Sequence, residues 1–189
     1  SVSSNIFNVF AISYISSQLK FHTTVSTTGI MIASAIGIFA CPIFGAISDK
    51  VGRKVIYLIS AFFVIVFSFP FFILINTKIP ALIALTIIVA YTFGPTMMFS
   101  VQSVLFAEQF DTKVRYSGLS IAYQFSSILG GLTPLIATLL LVPLNGKPWL
   151  VSLFLLVIGS ISFVSAFFAK SQRYASQFEG VDNRLKETR

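Results

Sequence analysis

The sequence predicts an all-α integral membrane protein with six transmembrane helices. Of its 189 residues, 56% are hydrophobic and only 10% are charged, and the mean hydropathy is +0.90. This composition is too apolar for a water-soluble domain. Helices are predicted in preference to barrel strands because the chain lacks segments of about ten residues with alternating polarity. A helix also satisfies its own backbone amides inside the lipid.

Six uncharged stretches supply the predicted spans, since each can provide the ~20 apolar residues that a membrane-spanning helix needs. The spans are residues 1–19, 25–47, 55–76, 79–105, 116–142 and 148–169. Together they form one bundle over residues 1–170, followed by a polar cytoplasmic tail over 171–189. The first stretch lacks the basic segment of a signal peptide and does not begin with methionine, so we expect residue 1 to be an internal position.

The basic residues predict the orientation of the bundle. One set follows the second, fourth and sixth spans: Lys50, Arg53, Lys54, Lys113, Arg115, Lys170 and Arg173. The other three connections carry only Lys20, Lys78 and Lys147. Because short basic loops stay in the cytoplasm, both termini are predicted to be cytoplasmic in an inner (plasma) membrane. The net charge of +7 does not indicate nucleic-acid binding, since the basic residues lie at helix ends and form no single patch.

The sequence offers little for metal, redox or catalytic chemistry. Cys41 is the only cysteine and His22 the only histidine, so neither an intrachain disulfide nor a metal cluster is predicted. The motifs H-E-x-x-H and G-x-S-x-G are absent. We therefore expect no enzyme activity, no metal and no bound cofactor.

Polar residues recur on one face of three predicted spans. They are Asn5, Asn8 and Ser16 in the first span, Tyr91 and Gln102 with Met98 in the fourth, and Ser120, Gln124, Ser127 and Gly131 with the neighbouring Tyr123 in the fifth. Polar side chains are costly in hydrocarbon unless they face a partner or water, so these stripes predict a shared polar cavity. Hydrogen bonds between helices without a cavity are the alternative. The candidate substrate contacts are Tyr91, Gln102, Tyr123, Gln124 and Asn8.

Helix breakers fall in the middle of two of these spans. Gly94 and Pro95 interrupt the fourth span, and Gly130 and Gly131 with Pro134 interrupt the fifth. Such residues weaken the helical hydrogen-bond ladder and serve either as bending points or as sites of close packing.

Two charged loops carry a resemblance to a known family. Residues 45–54 read GAISDKVGRK and have the form G-x-x-x-D-K-x-G-R-K. This stretch resembles the signature loop of the major facilitator superfamily, between the second and third helices of each six-helix half. Residues 107–118, AEQFDTKVRYSG, resemble the E-x-F-P-x-x-x-R-x-x-G stretch of metabolite:proton symporters and sugar porters, with Asp111 in place of the usual proline.

The fifth span is similar to the fifth helix of the metabolite:proton symporters, a family that includes carriers of proline and betaine, ketoglutarate, citrate and shikimate. The residues concerned are Tyr123 and Gln124, followed by Gly130, Gly131 and Pro134. The resemblance covers residues 5–170 and implies the C-terminal six-helix half of a major facilitator fold. It implies proton-coupled symport of a small organic acid or zwitterion by alternating access, driven by the proton gradient.

The implied partners are a small polar organic solute, the lipid bilayer and a missing N-terminal half with six helices. No Asp or Glu lies in the middle of any predicted span. A proton-coupled carrier needs a titratable group inside the membrane. We therefore expect the proton carrier to lie in the missing half.

Both charged loops fall on the predicted cytoplasmic side, where the resemblance implies a gate. The gate candidates are Gly45, Asp49, Lys50, Gly52, Arg53, Lys54, Glu108 and Arg115. Asp49 can accept a hydrogen bond from Arg53, and Glu108 can pair with Arg115 or with Arg53. Retention of basic loops in the cytoplasm is the simpler alternative, but it does not explain the glycine spacing.

Two further functions stay open. A half of a sugar porter would also suit aromatic and amide groups with no basic residue at the centre of the membrane. A truncated remnant that does not transport, either inert or partner-binding, is the alternative from another class. The sequence does not distinguish between solutes.

Overall fold

The computed structural model describes residues 2–17, 23–109, 114–144 and 146–169. Over these ranges the chain forms helices and contains no strand, which confirms the all-α prediction. The predicted tail over residues 171–189 lies outside the described residues, as does His22.

Within the described ranges, six helices follow one another. Helix α1 covers residues 2–17, as α-helical Val2–Asn5, a π-helical turn at Ile6–Phe10 and α-helical Ala11–Ser17. Helix α2 is Thr23–Val51, α3 is Arg53–Ile75, and α4 is Pro80–Ala107 with a π-helical turn at Thr92–Thr96. Helix α5 is Arg115–Leu139 and α6 is Trp149–Phe168, with a short 3-10 turn at Val142–Leu144 between them.

Five of these helices, α2 to α6, are long and apolar enough to cross a membrane. They correspond to the last five predicted spans. Helix α1 corresponds to the first predicted span, of which residues 1, 18 and 19 lie outside the described residues. The count of six spans therefore stays a prediction.

Glycine and proline set two of the helix boundaries. Helix α2 continues past residue 47, the predicted end of the span, because no glycine or proline lies between residue 47 and Gly52. Gly52 has φ 111°, which is accessible to glycine but strained for other residues. At the opposite end of the bundle, Pro80 begins α4, where its missing N–H has no helical partner to lose.

The helices pack around two apolar clusters. The larger lies toward the end of the bundle where α3 stops and includes Phe7, Phe10, Tyr14, Phe71, Phe72, Ile75, Ile83 and Ile87. The smaller lies toward the charged loops and comprises Ile56, Tyr57, Met97, Val101, Leu105 and Ala166. Between them, α4 comes close to its neighbours at Gly94, where an added Cβ would lie 3.2 Å from Val64 Cγ2.

Small residues allow two further close contacts between helices. An added Cβ at Gly159 of α6 would lie 2.9 Å from Ile65 Cγ1 of α3, and one at Gly29 of α2 would lie 3.3 Å from Ala84 Cα of α4. Without a hydrophobic driving force in lipid, such close approach is a main source of helix association.

The two predicted breaking points behave differently. Around Pro95 the helix widens into the π-helical turn Thr92–Thr96. The Ser60 hydroxyl of α3 donates to the carbonyl oxygens of Phe93 (2.9 Å) and Gly94 (2.7 Å) in this turn. This contact gives two carbonyl oxygens of the widened turn an additional donor from a neighbouring helix. Helix α5, by contrast, remains α-helical through Pro134, so its breakers do not interrupt it.

Candidate functional site

The tight connection between α2 and α3 brings opposite charges together. The Gly52 N–H donates to Ser48 O at 2.8 Å, and the N–H groups of Val55 and Ile56 donate to Gly52 O. One residue thus closes α2 and begins α3. The turn places Asp49 and Arg53 four positions apart, on adjoining ends of the two helices.

Arg53 joins the ends of three helices. Its guanidinium donates from one nitrogen to Asp49 Oδ1 at 3.1 Å and from the other to Glu108 Oε1 at 2.9 Å. Asp49 lies in the last turn of α2, whereas Glu108 caps the C-terminus of α4. The two bonds differ in shielding, because the Asp49 side chain is 64% exposed and that of Glu108 is 13% exposed. Water weakens the first pair much more than the second.

Lys54 follows Arg53 in the sequence but contacts a different helix, α6. Its Nζ donates to the carbonyl oxygens of Phe167 (2.6 Å) and Ala169 (2.9 Å) and lies 5.7 Å from the centroid of the Phe167 ring. These carbonyls end α6, where a positive charge is favourable. Lys54 therefore fastens α6 to α3.

The remaining gate candidates lie around this cluster. Lys50 is exposed on the last turn of α2, and an added Cβ at Gly45 would meet no atom within 4 Å. Arg115 is exposed at the first position of α5. Residues 110–113 of the second charged loop lie outside the described residues. The gate role of all eight residues stays a prediction.

A cavity of about 910 Å³ opens between the helices. It is lined by Val2, Ser3, Ser4, Asn5, Ser34, Gly37, Ile38, Cys41, Tyr57, Tyr91, Pro95, Thr96, Met98, Phe99, Gln102, Phe106, Tyr123, Ser126, Ser127, Leu129, Gly130, Gly131, Ile158 and Ser162. Every helix contributes, and none of these lining residues is Asp, Glu, Lys, Arg or His. The described lining therefore offers hydroxyl and amide groups and aromatic rings, without a charged side chain.

Three of the five candidate substrate contacts lie in this lining: Tyr91, Gln102 and Tyr123. Gln124 lies outside it and is exposed, because the next residue along an α-helix is turned by about 100°. Asn8 also lies outside it and Asn5 lies inside. Asn8 belongs to the π-helical turn Ile6–Phe10, where the regular 3.6-residue spacing behind the prediction does not hold.

The structure also adds polar groups that the periodicity did not single out. Tyr57 of α3 and Ser162 of α6 line the cavity, and their hydroxyl oxygens are 2.9 Å apart in a hydrogen bond. Ser34 and Thr96 line it as well. The sequence could have pointed to Tyr57, because it lies four residues after Arg53 and therefore on the same helical face.

The family model described as the Major Facilitator Superfamily matches residues 1–134. The chain belongs to the Major Facilitator Superfamily. This major facilitator chain is 26% identical over 171 residues to the shikimate transporter of Escherichia coli (strain K12), covering 90% of the chain and 39% of that protein. It is 32% identical over 159 residues to the glycine betaine/proline/ectoine/pipecolic acid transporter of Dickeya dadantii (strain 3937), covering 84% and 31%.

The major facilitator chain spans about a third of the length of the curated relatives it matches. No solved structure matches it significantly. Its family and its long apolar helices identify a multi-pass membrane protein. The relatives named above are transporters.

Proposed function

We propose that this chain is the C-terminal six-helix half of a proton-coupled secondary transporter, which moves a small polar solute by alternating access across an inner membrane. The observation that carries the proposal is the position of the Arg53 ion pairs next to the uncharged polar cavity. Tyr57 and Phe106 line the cavity, and they lie four residues after Arg53 and two residues before Glu108. A solute pathway and a charge-dependent latch would then share the same end of the bundle.

The ion pairs suit a latch because they are strong enough to bias an equilibrium and weak enough to break. An exposed pair contributes about 0–1 kcal/mol, and the better shielded Arg53–Glu108 pair belongs at or above the upper end of that range. A difference of ~1.4 kcal/mol changes the ratio of two conformations tenfold. In this proposal the pairs hold α2, α3 and α4 together at the cytoplasmic side in the outward-open state, and they rearrange as the halves rock.

The lining favours a solute with no net charge. The part of the cavity lining that this chain contributes holds no positive side chain. An anion would find no opposite charge there, and burying an unpaired charge is costly. A zwitterion can place its cationic group against the faces of aromatic rings such as Tyr91, Tyr123 and Phe99, and its carboxylate near hydroxyl and amide donors. Proline and glycine betaine, which the name of the Dickeya dadantii relative includes, are of this kind.

A sugar is the second candidate, since it is also uncharged and hydrogen-bonds to the same groups. The charge-free lining is the observation that favours it. In both cases the proton carrier belongs to the rest of the transporter, because the lining described for this chain holds no acidic residue or histidine.

The first arm of the test measures uptake by the natural gene product that contains this chain, reconstituted in proteoliposomes. Labelled proline, glycine betaine, glucose and citrate are compared with and without an inward proton gradient. We expect gradient-dependent uptake of a zwitterion and little uptake of citrate. Cys41 lines the cavity, so the transported solute should also slow its alkylation, which mass spectrometry can localise. Correctly inserted protein that takes up none of these solutes would favour the non-transporting remnant.

The second arm tests the latch with Glu108→Gln, which keeps the shape of the side chain and removes its charge. We expect uptake to fall about tenfold, because loss of a shielded pair of about 1.4 kcal/mol shifts the conformational ratio by that factor. Asp49→Asn should lower uptake only about twofold, since the exposed Asp49–Arg53 pair is screened by water. Lys78→Gln, which removes a charge at the opposite end, is the control. If Glu108→Gln inserts normally and transports as well as Lys78→Gln, the latch is wrong.

A further inference from the structure

Two hydroxyl groups meet at the end of the cavity nearest the ion pairs. Tyr57 of α3 and Ser162 of α6 both line the cavity, and their oxygens are 2.9 Å apart. Neither residue belongs to the polar stripes that the sequence predicted in the first, fourth and fifth spans. The pair is formed only when α3 and α6 pack together.

Aromatic rings complete this end of the cavity. The ring of Tyr57 lies beside that of Phe106, with centroids 6.3 Å apart, and Phe106 also lines the cavity. Tyr57 is one helical turn from Arg53, and Phe106 is two residues from Glu108. The two helices that carry the Arg53–Glu108 bridge thus each present an aromatic ring to the cavity beside that bridge.

Another contact of α3 shows what a purely structural hydroxyl looks like. The Ser60 hydroxyl is fully buried, contacts two carbonyl oxygens of α4 and lies outside the cavity lining. The Tyr57–Ser162 pair differs, since both residues line the cavity and, among the described residues, the two hydroxyls bond only to each other. Two hydroxyls that share one hydrogen bond retain one proton for donation and further lone pairs as acceptors.

We propose that Tyr57, Ser162 and Phe106 form a second solute site, which a small uncharged or zwitterionic solute occupies between the central contacts and release to the cytoplasm. The remaining hydroxyl proton donates to a carboxylate or hydroxyl oxygen of the solute, and the rings of Tyr57 and Phe106 face its cationic or apolar part. This site rests on the proposed transport function. It deepens that function by giving the solute a stopping point next to the latch.

The site is tested by Tyr57→Phe and Ser162→Ala, each of which removes one hydroxyl. Transport is measured in right-side-out and in inside-out vesicles, so that KM is obtained from each face of the membrane. We expect the KM from the cytoplasmic face to rise about fivefold in both variants, because lost hydrogen bonds of about 1 kcal/mol weaken binding by that factor. The KM from the outer face should stay within twofold.

Matched controls separate a binding role from a packing role. Tyr116→Phe removes a hydroxyl from a tyrosine that is 91% exposed on α5, and Ser160→Ala removes one that bonds within its own helix, to Leu156 O. Both should leave the two KM values unchanged. The thermal midpoint of each variant in detergent shows whether packing has changed.

The outcomes are distinct from those of the transport test. If the wild-type protein transports but Tyr57→Phe and Ser162→Ala leave both KM values unchanged, the second site is wrong while the transporter stands. A lower thermal midpoint with equal losses from both faces would show that the pair only holds α3 against α6, which also overturns the site. Absence of any wild-type transport would instead refute the function on which the site depends.

Discussion

Helices α3 and α5 are of similar length but are built into the bundle in opposite ways. Nine of the 23 residues of α3 are buried, whereas only three of the 25 residues of α5 are buried. Side chains of α3 bond to other helices through Lys54, Tyr57 and Ser60. On α5, the hydroxyls of Thr133 and Thr138 bond back to carbonyl oxygens of α5 itself.

This difference separates a scaffold helix from a helix that lines the cavity. Helix α3 holds α4 and α6 in place, and its buried residues fix their distances. Helix α5 instead places Tyr123, Ser127 and Gly131 along the cavity and leaves large apolar side chains, such as Phe125 and Leu135, exposed. In this comparison, changes at the packed positions of α3 should act on stability, and changes at the cavity-lining positions of α5 should act on the solute pathway.

The largest expected effect on the scaffold comes from Gly159→Ala. The new Cβ would lie 2.9 Å from Ile65 Cγ1, so either the Ile65 side chain must change rotamer or α3 and α6 must move apart. We expect a loss of about 2 kcal/mol in unfolding free energy, as for other overpacked sites, visible as a lower thermal midpoint in detergent.

Gly131→Ala on α5 is the matched change, because an added Cβ there meets nothing within 4 Å. It should leave the midpoint unchanged or raise it slightly, as alanine favours helix over glycine. Equal destabilisation by the two alanines would remove the distinction between the helices.

A smaller effect is expected from Ser60→Ala, which takes a donor away from the Phe93 and Gly94 carbonyl oxygens beside Pro95. Hydrogen bonds between membrane helices contribute about 1 kcal/mol, so the thermal midpoint should fall modestly. Ser68→Ala is the control, since the Ser68 hydroxyl is also fully buried but bonds to Ile65 O of its own helix. If the thermal midpoint of Ser68→Ala falls by as much, the loss of a buried hydroxyl explains both results, and the contact of Ser60 with α4 does not.

The smallest effect is expected at the far end of α3. The Tyr14 hydroxyl of α1 donates to Asn76 Oδ1 at 3.1 Å, just beyond the last residue of α3. Tyr14→Phe keeps the buried ring and removes only this bond, so a loss of about 0.5 kcal/mol is expected. Comparison of its thermal midpoint with that of Tyr116→Phe gives the measurement. A loss of several kcal/mol would show that α3 depends on its ends more than on its packed middle.

The helical class, two of the helix boundaries and one charge pair were accessible from the sequence because they depend on local features. Gly52 and Pro80 begin or end helices through their own backbone, and the four-residue spacing of Asp49 and Arg53 already suggested a pair. The bond from Arg53 to Glu108 was one of two pairings left open, since the distance between α3 and α4 is not encoded in either helix alone.

The cavity was harder to predict because it depends on how helices are rotated against one another. Of the predicted stripe on α5, Ser127 and Gly131 line the cavity but Gln124 does not, whereas the neighbouring Tyr123 does. Asn8 was assigned with α-helical spacing that the π-helical turn Ile6–Phe10 alters. Tyr57 and Ser162 come together only by packing of α3 on α6, which no pattern within one helix reveals.

The single-residue connection at Gly52 has a mechanical consequence. A hairpin with several loop residues has slack, so one helix can tilt while the other stays at rest. Here Val51 still belongs to α2 and Arg53 already belongs to α3, so no spare residue can absorb such a tilt. A displacement of the charged end of α2 is therefore passed directly to α3, and the two helix ends move together.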